Sequence, residues 1–242
     1  VRGLATAEEI AAHRPALVET GRKVRYDHRP LAERDTYGRA FVQMLNLWPH
    51  DERVRHFVFA RRFAGVAARL MGVHAVRIYH DQALFKEPGG GFTPWHQDQF
   101  YWPLDTPHTI TMWMPLTDIT PDMGVMGFAS GSHREGYLEA LEISDASEQH
   151  FRDFVRDRGY TITEGQAMRA GDATFHSGWT LHNATPNPTD RMREVMTIIY
   201  FADGARCVKP DTKWGEADLK TWLPGWQPGD RDASPRKPVV HP

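Results

Sequence analysis

Hydrophobic positions change their period once along this chain. Up to about residue 73 they recur at helical spacing, and beyond it they alternate. Thr6 followed by Glu9 has the form of a capping box and predicts a helix, which Pro15 is expected to shorten or kink. Residues 33–47 predict a second helix. Asp51 is a candidate cap for a third, with Val54, Phe57, Phe63, Val66 and Leu70 forming its apolar stripe and Gly72 its stop.

From residue 75 the pattern has period two. Residues 75–86 predict a strand with Val76, Ile78, His80, Gln82, Leu84 and Lys86 on one face. Gly89-Gly90-Gly91 predicts a flexible loop, suited to be the hinge of a lid. A strand is expected over 109–117, turns at Pro121–Gly124 and Gly131-Ser132, and a helical insertion over 147–157. Short strands follow at 173–177, 180–183 and 193–202. In the last, Val195, Thr197, Ile199 and Phe201 alternate with Met196, Ile198 and Tyr200. Helices followed by many short strands predict an α+β fold with a β-sandwich or jelly-roll core. Residues 1–242 are expected to form a single domain: a helical part over about 1–73, a core over about 74–204 and a C-terminal strap over about 205–242. The strap is rich in Pro and charge, but Trp214, Trp222 and Trp226 predict that it packs on the core. No internal repeat is visible.

Composition narrows the classes. A chain of 242 residues with 40% apolar side chains can bury a sizeable core. Its net charge of −2, from 29 basic and 31 acidic residues, argues against a nucleic-acid partner bound through phosphate neutralisation. No apolar run approaches the length of a membrane span, and no signal-peptide pattern is present, although the chain opens on Val1 rather than Met. Cys207 is the only cysteine, so no intramolecular disulfide forms and a reducing cytoplasm is the expected location. Oligomeric state is not readable.

Candidate chemistry centres on His96-Gln97-Asp98, with His182 and Arg193 far downstream. On a strand, positions i and i+2 face one way, so His96 and Asp98 would present an imidazole and a carboxylate to one ion. Alone, a His-x-Asp is as well explained by a surface histidine beside a capping Asp. A distant second histidine completes a two-His-one-carboxylate face, the arrangement that holds non-haem Fe(II) with open positions opposite. His182 and His176 compete for that place. His182 is favoured because a polar loop after it leads to Arg193, whose planar fork suits a carboxylate. Arg191 is the runner-up on the same strand face.

These pieces, taken in order, resemble the phytanoyl-CoA dioxygenase family of Fe(II)/2-oxoglutarate oxygenases. The matching segments are His96-Gln97-Asp98, Thr111–Asp118, Gly131-Ser132-His133, Gly171-Asp172, and His182 with Arg193, within about residues 75–202. The resemblance implies a double-stranded β-helix, a cupin-like jelly roll, with flanking N-terminal helices. It implies iron held by His96, Asp98 and His182, with 2-oxoglutarate and O2 as cosubstrates. The far carboxylate of 2-oxoglutarate would lie on Arg193, with Trp113, Gln82, Thr111 and Lys86 around it. Ala184 departs from the Ser that many members carry. An intact Asp98 separates the chain from halogenating relatives, which lack the carboxylate, and favours hydroxylation of an unactivated C–H bond with release of succinate and CO2. A zinc-dependent cupin isomerase or hydrolase, and a silent ligand-binding cupin, are the alternatives.

Substrate is less legible. Phe100, Tyr101, Trp102, Trp179 and Met126 are candidate pocket residues, with Phe92 and Met123 nearby, and they suggest a small, largely apolar or ring-bearing metabolite. His108, His133 and Arg134 are weaker polar candidates. No basic cluster suits a coenzyme A diphosphate.

Overall fold

The computed structural model describes residues 1–210 and 212–241. Helix α1 (Ala7–Val24) starts where Thr6 Oγ1 accepts the Glu9 N–H at 3.2 Å. Glu9 itself turns away to pair with Arg62, so only half of the expected capping box forms. The helix runs on past Pro15, because Ile10, Ala16 and Leu17 bury one face in the core.

Residues 33–47 do not form one continuous helix. A short α2 (Thr36–Ala40), capped by Asp35, gives way to strand β1 (Val42–Leu45). Val42 and Met44 are both buried, a period of two too short to outweigh the helical reading of the segment. The third predicted helix is two, α3 (Glu52–Val58), capped by Asp51, and α4 (Arg61–Met71). The break at Phe59-Ala60 sets the Phe57 and Phe63 rings edge to face at 5.3 Å. Leu70 faces solvent, and Gly72 ends α4 with φ of 69°.

The strands are β2 (Val76–Lys86), β3 (Thr93–His96), β4 (Thr109–Pro115) and β5 (Met126–Ala129). After α5 (Asp145–Asp157) come β6 (Ile162–Glu164), β7 (Thr174–Ser177), β8 (His182–Ala184) and β9 (Arg193–Ala202). Helix α6 (Lys213–Trp222) and β10 (Val239–His241) close the chain. Two antiparallel sheets result. One runs β1-β2-β9-β4-β7, with β10 also on β2; the other runs β3-β8-β5-β6. This is an α+β jelly roll with flanking helices.

The alternation along β9 separates two environments. Met196, Ile198 and Tyr200 join α1, α3 and α4 in the main core, whereas Val195, Ile199 and Phe201 pack on the other side of the sheet. Along β2 the single predicted face is interrupted. The register with β9 slips between Ile78 and His80, so Tyr79 is the extra residue of a bulge. Val76 and Ile78 therefore face the helices with Ala83 and Phe85, while His80, Gln82 and Leu84 face the space between the sheets. That slip turns part of β2 towards the site.

The C-terminal segment contacts the core, although Trp214 is exposed rather than packed away. Tyr79 donates a hydrogen bond to Asp218 of α6, and Lys237 and Asp232 form a buried ion pair at 2.7 Å.

Candidate metal centre

His96 ends β3 and His182 opens β8, and the two are cross-strand partners with ring centroids 4.1 Å apart. Each ring has its Nδ1 on a carbonyl two residues back: Pro94 at 2.7 Å for His96, Thr180 at 2.9 Å for His182. Those carbonyls require a proton on Nδ1, which leaves each Nε2 with its lone pair. The Asp98 Oδ1 atom lies 3.5 Å from His96 Nε2 and 3.6 Å from His182 Nε2. One ligand atom from each residue falls within 4.8 Å of the others, close enough to hold one ion. Asp98 does not reach this position along a strand, as the sequence suggested. β3 stops at His96, and Asp98 opens a turn of 3-10 helix (Asp98–Tyr101) anchored by the Gln99 N–H on the Gly178 carbonyl at 2.9 Å.

Protonation suits a metal. Burial, and after it the neighbouring His96, push His182 well below the usual imidazole range, so it is neutral. Burial works against the Asp98 charge, but the imidazoles around it, with His176 on Oδ2, outweigh it and hold the carboxyl well below the usual carboxylate range. His176 is not in the ion-holding group: its Nε2 lies 3.2 Å from Asp98 Oδ2.

Arg193 opens β9 and is fully buried. Its Nη1 donates to the Gly124 carbonyl, its guanidinium carbon lies 5.3 Å from the Trp113 ring centroid, and its Nε has no partner. No carboxylate pairs with it among the described residues, and burial pulls it down to about 9. A buried guanidinium without a counter-ion is costly, and an anionic ligand would relieve it. Arg191, the runner-up, is exposed and donates to the Asp118 carbonyl.

The two features share one cavity of about 720 Å³ between the sheets. His96, Asp98, His182, Arg193, Trp113, Thr111 and Gln82 all line it. Lys86 does not. Its ammonium turns to the Gly91 carbonyl, and burial, then the charge of Arg193, push it down to about 6. Thr111 donates its hydroxyl to Asp98 Oδ2, at 2.9 Å, while lining the cavity.

Of the pocket candidates, Tyr101, Trp102 and Met126 line the cavity. Phe100 and Trp179 do not. Phe100 packs edge-on to Tyr101, and Trp179 against Tyr137. His108, His133 and Arg134 are exposed, and Met123 is core. The Gly89–Gly91 loop is pinned rather than free: Gly89 N–H bonds the Asn187 carbonyl at 2.8 Å and Gly91 N–H that of Arg39 at 2.8 Å. The largest omission is the outer wall. Tyr26, Asp35, Tyr37 and Gln43 line it from the N-terminal part, and Trp214, Asp218 and Trp222 from α6. Only the tryptophans of the strap gave a signal in the sequence.

Comparison with known proteins agrees with this geometry. The family model described as phytanoyl-CoA dioxygenase matches residues 1–195. A methylphosphonate hydroxylase of Gimesia maris is 28% identical over 149 residues, covering 62% of this chain and 54% of that protein. A 1-deoxypentalenic acid 11-beta-hydroxylase of Streptomyces exfoliatus is 25% identical over 189 residues, covering 73% and 64%. The chain thus spans between about half and two thirds of the length of these curated relatives. Among solved structures, the non-heme alpha ketoglutarate dependent carbocyclase SnoK from nogalamycin biosynthesis superposes with a TM-score of 0.79 at 25% identity, covering 99% of this chain and 90% of its own. The epimerase SnoN, in complex with Fe3+, alpha ketoglutarate and nogalamycin RO, has a TM-score of 0.75 at 24% identity, covering 100% and 93%, and shares the fold.

Proposed function

This chain belongs to the phytanoyl-CoA dioxygenase family, and from that premise we propose that it is an Fe(II)/2-oxoglutarate-dependent oxygenase acting on a C–H bond of a small molecule. The observation that carries the reading is the pairing, in one cavity, of the His96–Asp98–His182 group with a buried Arg193 that has no anionic partner. A zinc-dependent isomerase or hydrolase would use the same three ligands but would leave Arg193 buried without a role.

Iron held by these residues would supply oxygen activation at the expense of 2-oxoglutarate, which leaves as succinate and CO2. The protein's own part is binding and exclusion. His96 and His182 turn their Nε2 atoms to the site because backbone carbonyls hold their Nδ1 atoms. Arg193, with the Trp113 face beside it, receives the far carboxylate of the cosubstrate. Gln82 and Thr197 line the cavity from β2 and β9. Ala184 lines it where many members carry Ser, so the cosubstrate loses a hydroxyl contact there.

The remaining lining of the cavity supports a substrate class. Tyr26, Tyr37, Tyr101, Trp102, Trp214 and Trp222 give it aromatic walls, and Asp35, Glu142 and Asp218 are its acidic groups. Arg193 is the only Lys or Arg among the described lining residues. A phosphonate dianion, such as the name of the Gimesia maris relative implies, would find no cation but Arg193 among those residues. A ring-bearing neutral or amine-containing metabolite fits better. Whether the oxidation ends in hydroxylation or ring closure depends on how that substrate is held.

The test is oxygen-dependent conversion of 2-oxoglutarate to succinate by the Fe(II)-loaded protein, with and without a panel of ring-bearing metabolites. Turnover is expected to require iron and to be lost in His96→Ala and Asp98→Ala; turnover retained in either variant would overturn the ligand assignment.

A further inference from the structure

We propose that His176 is a positioning residue which, together with Thr111, holds the Asp98 carboxylate so that a single oxygen faces the metal. The inference rests on the metal reading above and adds a residue to it. The two oxygens of Asp98 are divided between different neighbours. Oδ1 is the one near both ligand imidazoles, at 3.5 and 3.6 Å. Oδ2 accepts from Thr111 Oγ1 at 2.9 Å and lies 3.2 Å from His176 Nε2. Thr111 and His176 are cross-strand partners on β4 and β7, so the two donors sit side by side on a rigid ladder rather than on loops.

The burial of His176 points the same way. The residue is buried, its ring centroid is 4.4 Å from that of His182, and its Nδ1 has no partner. A buried imidazole with one nitrogen unsatisfied is a poor choice for packing alone. With the proton on Nε2 it is a fixed donor to Asp98, and the unpaired Nδ1 is the less demanding acceptor end.

The consequence concerns coordination number. Two imidazoles and one carboxylate oxygen leave three positions on an octahedral ion, enough for a chelating keto acid and dioxygen together. A carboxylate free to swing both oxygens onto the ion would take one of those positions. Hydrogen bonds to Oδ2 from two strands oppose that swing. Such outer partners of metal ligands characteristically change metal affinity by roughly 10–100-fold when removed.

The experiment uses Co(II) as the probe and the full chain, with affinity read by titration of the visible absorption and the melting temperature of the metal-free protein measured alongside. His176→Phe keeps the ring and removes the donor; His176→Gln keeps an N–H able to reach Oδ2. The expected result is a loss of Co(II) affinity of roughly 10–100-fold in His176→Phe, a loss of only a few-fold in His176→Gln, and melting temperatures close to that of the wild type. Wild-type affinity in His176→Phe, or equal losses in the two variants, would overturn the proposal. If His176→Phe does not fold, Thr111→Val, which removes the other donor to the same oxygen, is read by the same criterion. Failure of the wild-type protein to bind Co(II) would instead sink the metal reading itself.

Discussion

Lys86 and Arg193 are direct partners across the β2–β9 ladder, and both are buried with no carboxylate paired to either among the described residues. Two basic side chains are thus packed together, with Arg193 lining the cavity and Lys86 turned away from it to the Gly91 carbonyl. Arg193 bonds the Gly124 carbonyl, and the Lys86 chain lies against its Cα. Such an arrangement costs stability unless it serves to bind an anion.

Lys86 gives this cost a pH signature. Its folded-state value is pushed down to about 6 by burial and by Arg193, whereas in an unfolded chain a lysine titrates near 10.4. Between those values the unfolded chain binds more protons than the folded one, so this residue makes stability rise as pH rises. Urea unfolding at pH 7 and pH 9 checks it. Wild type should gain stability relative to Lys86→Met over that interval; a difference that is flat or falls contradicts the assignment.

Gly124 has φ of 74°, and a Cβ there would come within 2.5 Å of Lys86 Cδ and 2.9 Å of the Thr185 carbonyl oxygen. Gly124→Ala should therefore displace the Lys86 chain and shift the Gly124 carbonyl that holds Arg193. We expect at least tenfold weaker binding of 2-oxoglutarate, measured by calorimetry on the metal-loaded protein, and a strained-backbone penalty of about 1 kcal/mol or more. Unchanged binding would contradict Arg193, held by the Gly124 carbonyl, as the anchor.

The strap depends on a charge that is almost fully out of water. The Lys237 and Asp232 side chains are 1% and 0% exposed, and Lys237 Nζ sits 3.7 Å from the Tyr79 ring centroid. Lys237→Met strands the Asp232 carboxylate and is expected to cost about 3–5 kcal/mol in denaturant unfolding. Adding Asp232→Leu should recover most of that loss. A cost below about 1 kcal/mol for the single change would mean that the pair is not holding the C-terminal segment.

Much of the site was legible in the sequence because its chemistry comes in short segments. His96, Asp98 and His182 have few substitutes as a ligand set, and a strand carrying Arg193 follows within the same stretch. What escaped was set by packing between distant segments. The bulge at Tyr79 reverses the face of half of β2, and no alternation rule foresees an extra residue. β1 reads as helix in the sequence because its alternation lasts only four residues. Phe100 is as aromatic as Tyr101 and Trp102, and only the turn after His96 decides which of them meet the cavity. Asp218 and Trp222 reach the site through the docking of α6, a relation no local pattern encodes.

The most direct test of the central claim is anaerobic titration of the Fe(II)-loaded protein with 2-oxoglutarate, followed by visible absorption for the weak charge-transfer band of a chelated keto acid. The band should appear in the wild type and in Arg191→Ala. In Arg193→Ala it should need at least tenfold more 2-oxoglutarate, since one charge-assisted hydrogen bond is worth about 1.5–3 kcal/mol. No band with iron demonstrably bound, or an identical titration in Arg193→Ala, would contradict the claim that this cavity binds iron and 2-oxoglutarate together.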